Sequence, residues 1–189
     1  MQSNPTRNTT GLVVWLTGLP GAGKTTLAVA VQERLATLAI PSCNIDGDAL
    51  RHGLCTDLGF SAADRKENVR RAGEIAKLMA QQGLVAMVSL VSPYLADRRS
   101  VRDRMPAGMF FEVFVDCPVD ECRKRDPKGM YARADRGEIP QFTGVSDPYE
   151  PPPAPELHLR THVDSLDDCT QMLTQAICNT IHQATPPSL

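Results

Sequence analysis

The chemistry in this chain begins with Gly18-Leu19-Pro20-Gly21-Ala22-Gly23-Lys24-Thr25-Thr26, which fits the phosphate-loop pattern G-x-x-x-x-G-K-[ST]. Glycines at these positions let the backbone curl until successive N–H groups face an anion. A lysine then reaches the outer phosphates, and a hydroxyl at Thr25 can ligate Mg²⁺. All nine residues, Gly18, Leu19, Pro20, Gly21, Ala22, Gly23, Lys24, Thr25 and Thr26, are therefore expected to line an ATP site.

Further along, Asp46-Gly47-Asp48-Ala49-Leu50-Arg51 sets two acids and a cation together. An acid beside a phosphate loop can take the proton of an acceptor hydroxyl or orient a metal-bound water. Taken alone the stretch reads equally well as an Asp-Gly turn; the loop upstream favours chemistry. Arg51 can hold an anionic acceptor. Arg65 and Asn68 stand one helical turn apart and can share that task, whereas Lys66, Arg70, Arg71, Glu67 and Glu74 read as a solvated helix face. Ser92-Pro93 follows an apolar run, where it can either meet the acceptor or cap the next helix. Asp126-Pro127-Lys128-Gly129 matches D-x-x-G of GTPases only in form, since no Asn-Lys-x-Asp motif accompanies it.

The elements that must position these groups alternate. Leu12–Thr17 reads as a buried strand, followed by a helix from Thr26 to Leu35. Ser42–Asp46 is a second strand; Ser61-Ala62-Ala63-Asp64 is a capping-box-like start to a helix of about five turns ended by Gly83. Strands over 84–91, 109–115 and 157–161 follow, with helices from Pro93, over 119–125 and over 166–181. This rhythm predicts an α/β fold: a parallel sheet of about five strands covered on both faces, in the three-layer manner of P-loop nucleotide-binding proteins, with ligands at the strand ends. Residues 126–156 break the rhythm with frequent Pro and Gly and read as a lid. One domain is expected over 11–184, between a polar tail at 1–10 and a short tail at 185–189.

With 189 residues, a net charge of −2 and 42% hydrophobic residues, the composition is that of an ordinary globular chain and predicts no nucleic-acid or membrane partner. No apolar run has the length of a membrane span, the first ten residues lack a signal-peptide pattern, and six scattered cysteines form no C-x-x-C pair. A cytoplasmic chain with reduced thiols is expected.

Taken together, the sequence closely resembles the adenylylsulfate kinases. The matching blocks are Gly18–Thr26, Asp46-Gly47-Asp48 with Arg51-His52-Gly53-Leu54, Asp57–Ser61, Asp64–Asn68, Arg70-Arg71, Ser92-Pro93-Tyr94, Arg125–Tyr131, Phe142-Thr143-Gly144 and Pro148-Tyr149-Glu150. The resemblance implies transfer of the ATP γ-phosphoryl group, with Mg²⁺, to the 3′-hydroxyl of adenosine 5′-phosphosulfate. It implies Asp46 as base with Asp48 close by, Lys24 on the phosphates, and Arg51, Arg65 and Asn68 on the phosphosulfate. Phe60 and Phe142 would stack on the substrate adenine, Ser92 would contact the acceptor, and Lys128 would neutralise charge from the lid. Val91, Met130 and Thr143 complete the implied acceptor site. The family often dimerises, so a homodimer and a functional link to a sulfate adenylyltransferase are expectations. Leu95 and Asp135 stand where basic residues are usual, and Pro20 where Ser is common. Two rivals remain: a P-loop kinase for another anionic nucleotide, and an ATP-binding regulator without catalysis.

Overall fold

The structure is a computed structural model that describes residues 11–184. The N-terminal tail and the last five residues named above lie outside the described residues.

Five strands form one parallel sheet in the order β2-β3-β1-β4-β5. They are β1 (Leu12–Thr17), β2 (Ser42–Asp46), β3 (Val85–Ser89), β4 (Phe110–Asp116) and β5 (Leu157–Arg160). β1 is central: Leu12 pairs with Val85 on one side, and Val13 with Phe110 on the other. Its run Leu-Val-Val-Trp-Leu-Thr is buried throughout, because helices cover both faces. Alternate side chains serve the two faces. Leu12, Val14 and Leu16 join a cluster with residues of α1 (Lys24–Thr37) and α7 (Leu166–Ala184). Val13 and Trp15 join another with residues of α3 (Ala62–Gln81) and α4 (Leu95–Arg102).

The expected cap of α3 is present: the Ser61 hydroxyl accepts from the Asp64 N–H at 3.2 Å, and the Asp64 carboxylate accepts from the Ser61 N–H at 3.3 Å. Other expectations are adjusted. The Asp-Gly-Asp stretch opens a helix, α2 (Gly47–His52), whose N-cap is Asp46 itself. β3 ends at Ser89, two residues before the predicted end, as the chain turns toward Ser92. Beyond α5 (Val119–Arg125), the segment expected to form a lid contains a short helix, α6 (Met130–Asp135). That helix is started locally: the Asp126 carboxylate accepts from the N–H groups of Tyr131 and Ala132, each at 3.1 Å.

Candidate active site

The phosphate loop joins β1 to α1 at the centre of the sheet. Gly21 (φ 77°) and Gly23 (φ 98°) take left-handed conformations that a side chain would strain. At Gly21 a Cβ would also approach Cys122 O at 3.1 Å, so the loop lies tightly on α5. Lys24 is 8% exposed and donates to the carbonyls of Gly18 (2.9 Å) and Leu19 (2.8 Å). Burial lowers its ammonium to about 8 from an ordinary 10.5, with Asp46 and Asp48 partly opposing.

Asp46 stands at the end of β2 facing the loop. The Thr25 hydroxyl donates to its Oδ2 at 2.8 Å, while its Oδ1 accepts from the N–H groups of Asp48 (2.9 Å) and Ala49 (3.3 Å). These caps fix the carboxylate and aim one oxygen at the residue that closes the phosphate loop. The side chains expected to meet ATP and to take the acceptor proton are thus adjacent. The oxygen pair of Thr25 and Asp46 suits Mg²⁺, a hard cation that is usually held by one or two protein oxygens together with substrate phosphates. Accordingly, no cluster of three or more His, Cys, Asp or Glu side chains fit to hold a metal occurs among the described residues.

The residues expected on the acceptor side lie on α2, at the start of α3 and in the segment 126–156. Arg51 donates to Gly59 O at 2.8 Å and lies over the Phe60 ring at 4.1 Å. Arg65 donates to the adjacent carbonyl of Phe60, and burial first, with the Arg65 charge next, lowers the Arg51 pKa. Two cations in one place favour an anion between them. Arg65 donates to Phe60 O (2.9 Å), Thr143 Oγ1 (3.0 Å) and Gln141 O, and thereby also fastens the lid. Asn68 is buried one turn further along α3, and its Oδ1 has no hydrogen-bond partner. A buried orphan acceptor one turn from Arg65 fits a ligand group that brings a donor, such as a hydroxyl. Lys128 crosses from the lid to pair with Asp48, which raises its pKa. Met130 begins α6, and the Tyr131 hydroxyl donates to Pro20 O at 3.0 Å, tying the lid to the phosphate loop.

Two residues of the expected acceptor site are buried. Phe142 is 7% exposed, packed into the core with its ring edge-on to Tyr131 at 5.0 Å. Phe60, 53% exposed, is open to stacking. The Ser92 hydroxyl is buried, accepts from Trp15 Nε1 at 3.1 Å and donates to Thr17 Oγ1 at 3.1 Å. Ser92 also holds a left-handed backbone (φ 39°), which turns the chain out of the sheet. Val91 contributes its carbonyl, accepting from the Thr17 hydroxyl at 2.8 Å. Sequence reasoning missed Thr17, Tyr149 and Arg98, which converge here. Only the Pro-Tyr-Glu block hinted at Tyr149, and nothing local marked the other two.

A central phosphate loop, carboxylates at the end of β2 one strand beyond β3, and a segment that reaches both define a P-loop kinase of small molecules. Known proteins narrow the class. The profile of the family described as adenylylsulphate kinase matches residues 10–160. An adenylyl-sulfate kinase of Citrobacter koseri is 54% identical over 149 residues, which is 79% of this chain and 74% of that one. One from Vibrio cholerae is 49% identical over 165 residues, 87% of this chain and 77% of that one. Among solved structures, the Mycobacterium tuberculosis APS kinase CysC in complex with AMPPNP and APS superposes with a TM-score of 0.84 at 44% identity, covering 89% of this chain and 98% of that one. This chain belongs to the adenylylsulfate kinase family, ATP-dependent enzymes that phosphorylate adenylylsulfate.

Proposed function

We infer that the chain transfers the γ-phosphoryl group of MgATP to the 3′-hydroxyl of adenosine 5′-phosphosulfate by direct in-line displacement. The observation that carries this reading is the pair of cations held on one turn, Arg51 on Gly59 O and Arg65 on Phe60 O, together with Asp46 bonded to Thr25 of the phosphate loop. The acceptor bears separate negative charges on phosphate and sulfate, so it needs more than one cation. In this reading Lys24 draws charge from the β- and γ-phosphates. Asp46 takes the proton from the 3′-hydroxyl, and Lys128 leaves Asp48 to meet charge developing at the transferred group. Thr25, its hydroxyl proton directed to Asp46, would hold Mg²⁺, which would supply charge neutralisation on the phosphates. Phe60 offers its exposed face to the acceptor adenine, and base stacking of this kind is worth about 1–3 kcal/mol.

The same reading proposes a cytoplasmic enzyme that associates with a second copy of itself and works alongside a sulfate adenylyltransferase. Its support is family membership and six cysteines that stand as free thiols. No helix among the described residues is long and apolar enough to cross a membrane.

The decisive assay follows ATP-dependent consumption of adenylylsulfate, with AMP and adenosine as competing acceptors. Adenylylsulfate should be the preferred acceptor by a wide margin. Faster phosphorylation of an unsulfated nucleotide would overturn the substrate. Arg65→Ala should raise the acceptor KM well beyond the ATP KM and narrow the preference over AMP. Equal losses toward both acceptors would show that Arg65 does not read the sulfate.

A further inference from the structure

One guanidinium ties three distant parts of the chain together below the strand ends. Arg98 on α4 is 1% exposed. Its Nε donates to Glu112 Oε1 on β4 at 2.8 Å, its Nη1 to Ser92 O at 2.6 Å, and its Nη2 to Glu150 O at 2.7 Å. The same segment is held twice more: the Glu150 N–H donates to Pro93 O at 2.9 Å, and the Leu95 N–H to the Glu150 carboxylate at 2.6 Å. The C-terminal end of the lid is thereby fastened to the turn between β3 and α4.

Beside it, the Tyr149 hydroxyl meets Thr17 Oγ1 at 3.0 Å. The Thr17 proton goes to Val91 O, so Tyr149 is the donor. Thr17 is the last residue of β1 and immediately precedes Gly18, so the fixed end of the lid is bonded to the residue from which the phosphate loop springs. A chain of hydrogen bonds runs from Trp15 through Ser92 to Thr17. A buried ion pair such as Arg98–Glu112 is weak grounds for stability as such, since apolar groups fill the same space without desolvating charge. Its value here lies in direction: one planar group with three acceptors on three segments sets the angle at which the lid leaves the core.

We propose that Arg98 and Tyr149 are positioning residues for phosphoryl transfer, fixing the C-terminal end of the lid against Thr17 so that closure keeps water from the γ-phosphate. The proposal rests on the kinase reading above. Loosening this anchor lets water replace the acceptor as nucleophile: its oxygen bonds to the γ-phosphorus, the bond to the β–γ bridging oxygen breaks, and ADP, inorganic phosphate and a proton result.

The test compares ADP formed with 3′-phosphorylated product formed, for wild type, Tyr149→Phe, Arg98→Lys and the double variant. Tyr149→Phe removes one oxygen and leaves the ring stacked on Phe114, so the fold should persist. Arg98→Lys keeps the charge beside Glu112 but cannot serve all three acceptors. Each single variant should lose roughly three- to tenfold in transfer rate, the worth of one hydrogen bond. The ratio of ADP to product should rise above the wild-type value, with a near-constant ATP KM. The double variant should be no worse than the poorer single, because both residues serve one anchor. An unchanged ratio in folded variants, or a parallel fall of hydrolysis and transfer, overturns the proposal. A wild type that makes no phosphorylated adenylylsulfate overturns the parent reading, and this proposal with it.

Discussion

Burying the Lys24 ammonium against the Gly18 and Leu19 carbonyls has a cost that depends on pH. Its pKa is about 8 in the folded chain and 10.5 when unfolded, so between these values the unfolded chain binds more protons. Stability therefore rises with pH across that window as the folded state sheds its buried charge; at pH 7 the full cost, about 3 kcal/mol, is present. Binding runs the other way, because phosphates want the charged form. ATP affinity should weaken as pH climbs through about 8, by up to tenfold per unit before ligand charge offsets it. Calorimetric titrations at pH 7, 8 and 9 check this, and a flat profile would refute it; Lys24→Met should be weak and flat. For the acids, Asp46→Asn should lower kcat roughly 10²–10⁴-fold while ATP still binds, because Asn remains a good N-cap for α2. Should Asp48→Asn prove the more damaging, the two roles are reversed.

Between elements, the contact of α3 with α4 makes its own prediction. Gly73 sits mid-helix in α3, and a Cβ there would lie 2.8 Å from Val101 Cγ1 and 3.0 Å from Cγ2. Gly73→Ala gains about 1 kcal/mol of helix propensity, but the clash with a stiff β-branched neighbour costs about 1–3 kcal/mol. A melting temperature a few degrees lower is expected, with recovery when Val101→Ala is added; a higher one would show that the helices simply separate. Such packing was invisible in the sequence, whereas the phosphate loop and the Ser61–Asp64 cap were legible because their partners lie within a few residues. The burial of Phe142 was hidden for a different reason. Lack of periodicity locates a loop, but whether its aromatic points into the core depends on Tyr131, eleven residues away on a helix that itself left no apolar period. Arg98, Thr17 and Tyr149 were equally hidden: their partners lie up to 132 residues distant, and only the sheet order brings them together.

At the scale of the whole molecule, Trp15 is a well-placed reporter. It is the only tryptophan in the chain, is fully buried in β1 and donates to Ser92. With cores on both faces of one sheet, its fluorescence and the far-ultraviolet dichroism should report a single melting transition; separate midpoints would mean that the lid or a helical layer unfolds on its own. The central position of β1 also has a bearing on biosynthesis. Among the described strands it is the first to be synthesised, yet its two neighbours are encoded much later, Val85 opposite Leu12 and Phe110 opposite Val13. At 5–20 residues per second, the wait for β3 alone is roughly 4–14 s. Throughout it, the apolar run that ends up best protected in the native enzyme is a bare strand with both edges open. Until translation supplies β3 and β4, Leu12–Thr17 is the natural target for a nascent-chain chaperone.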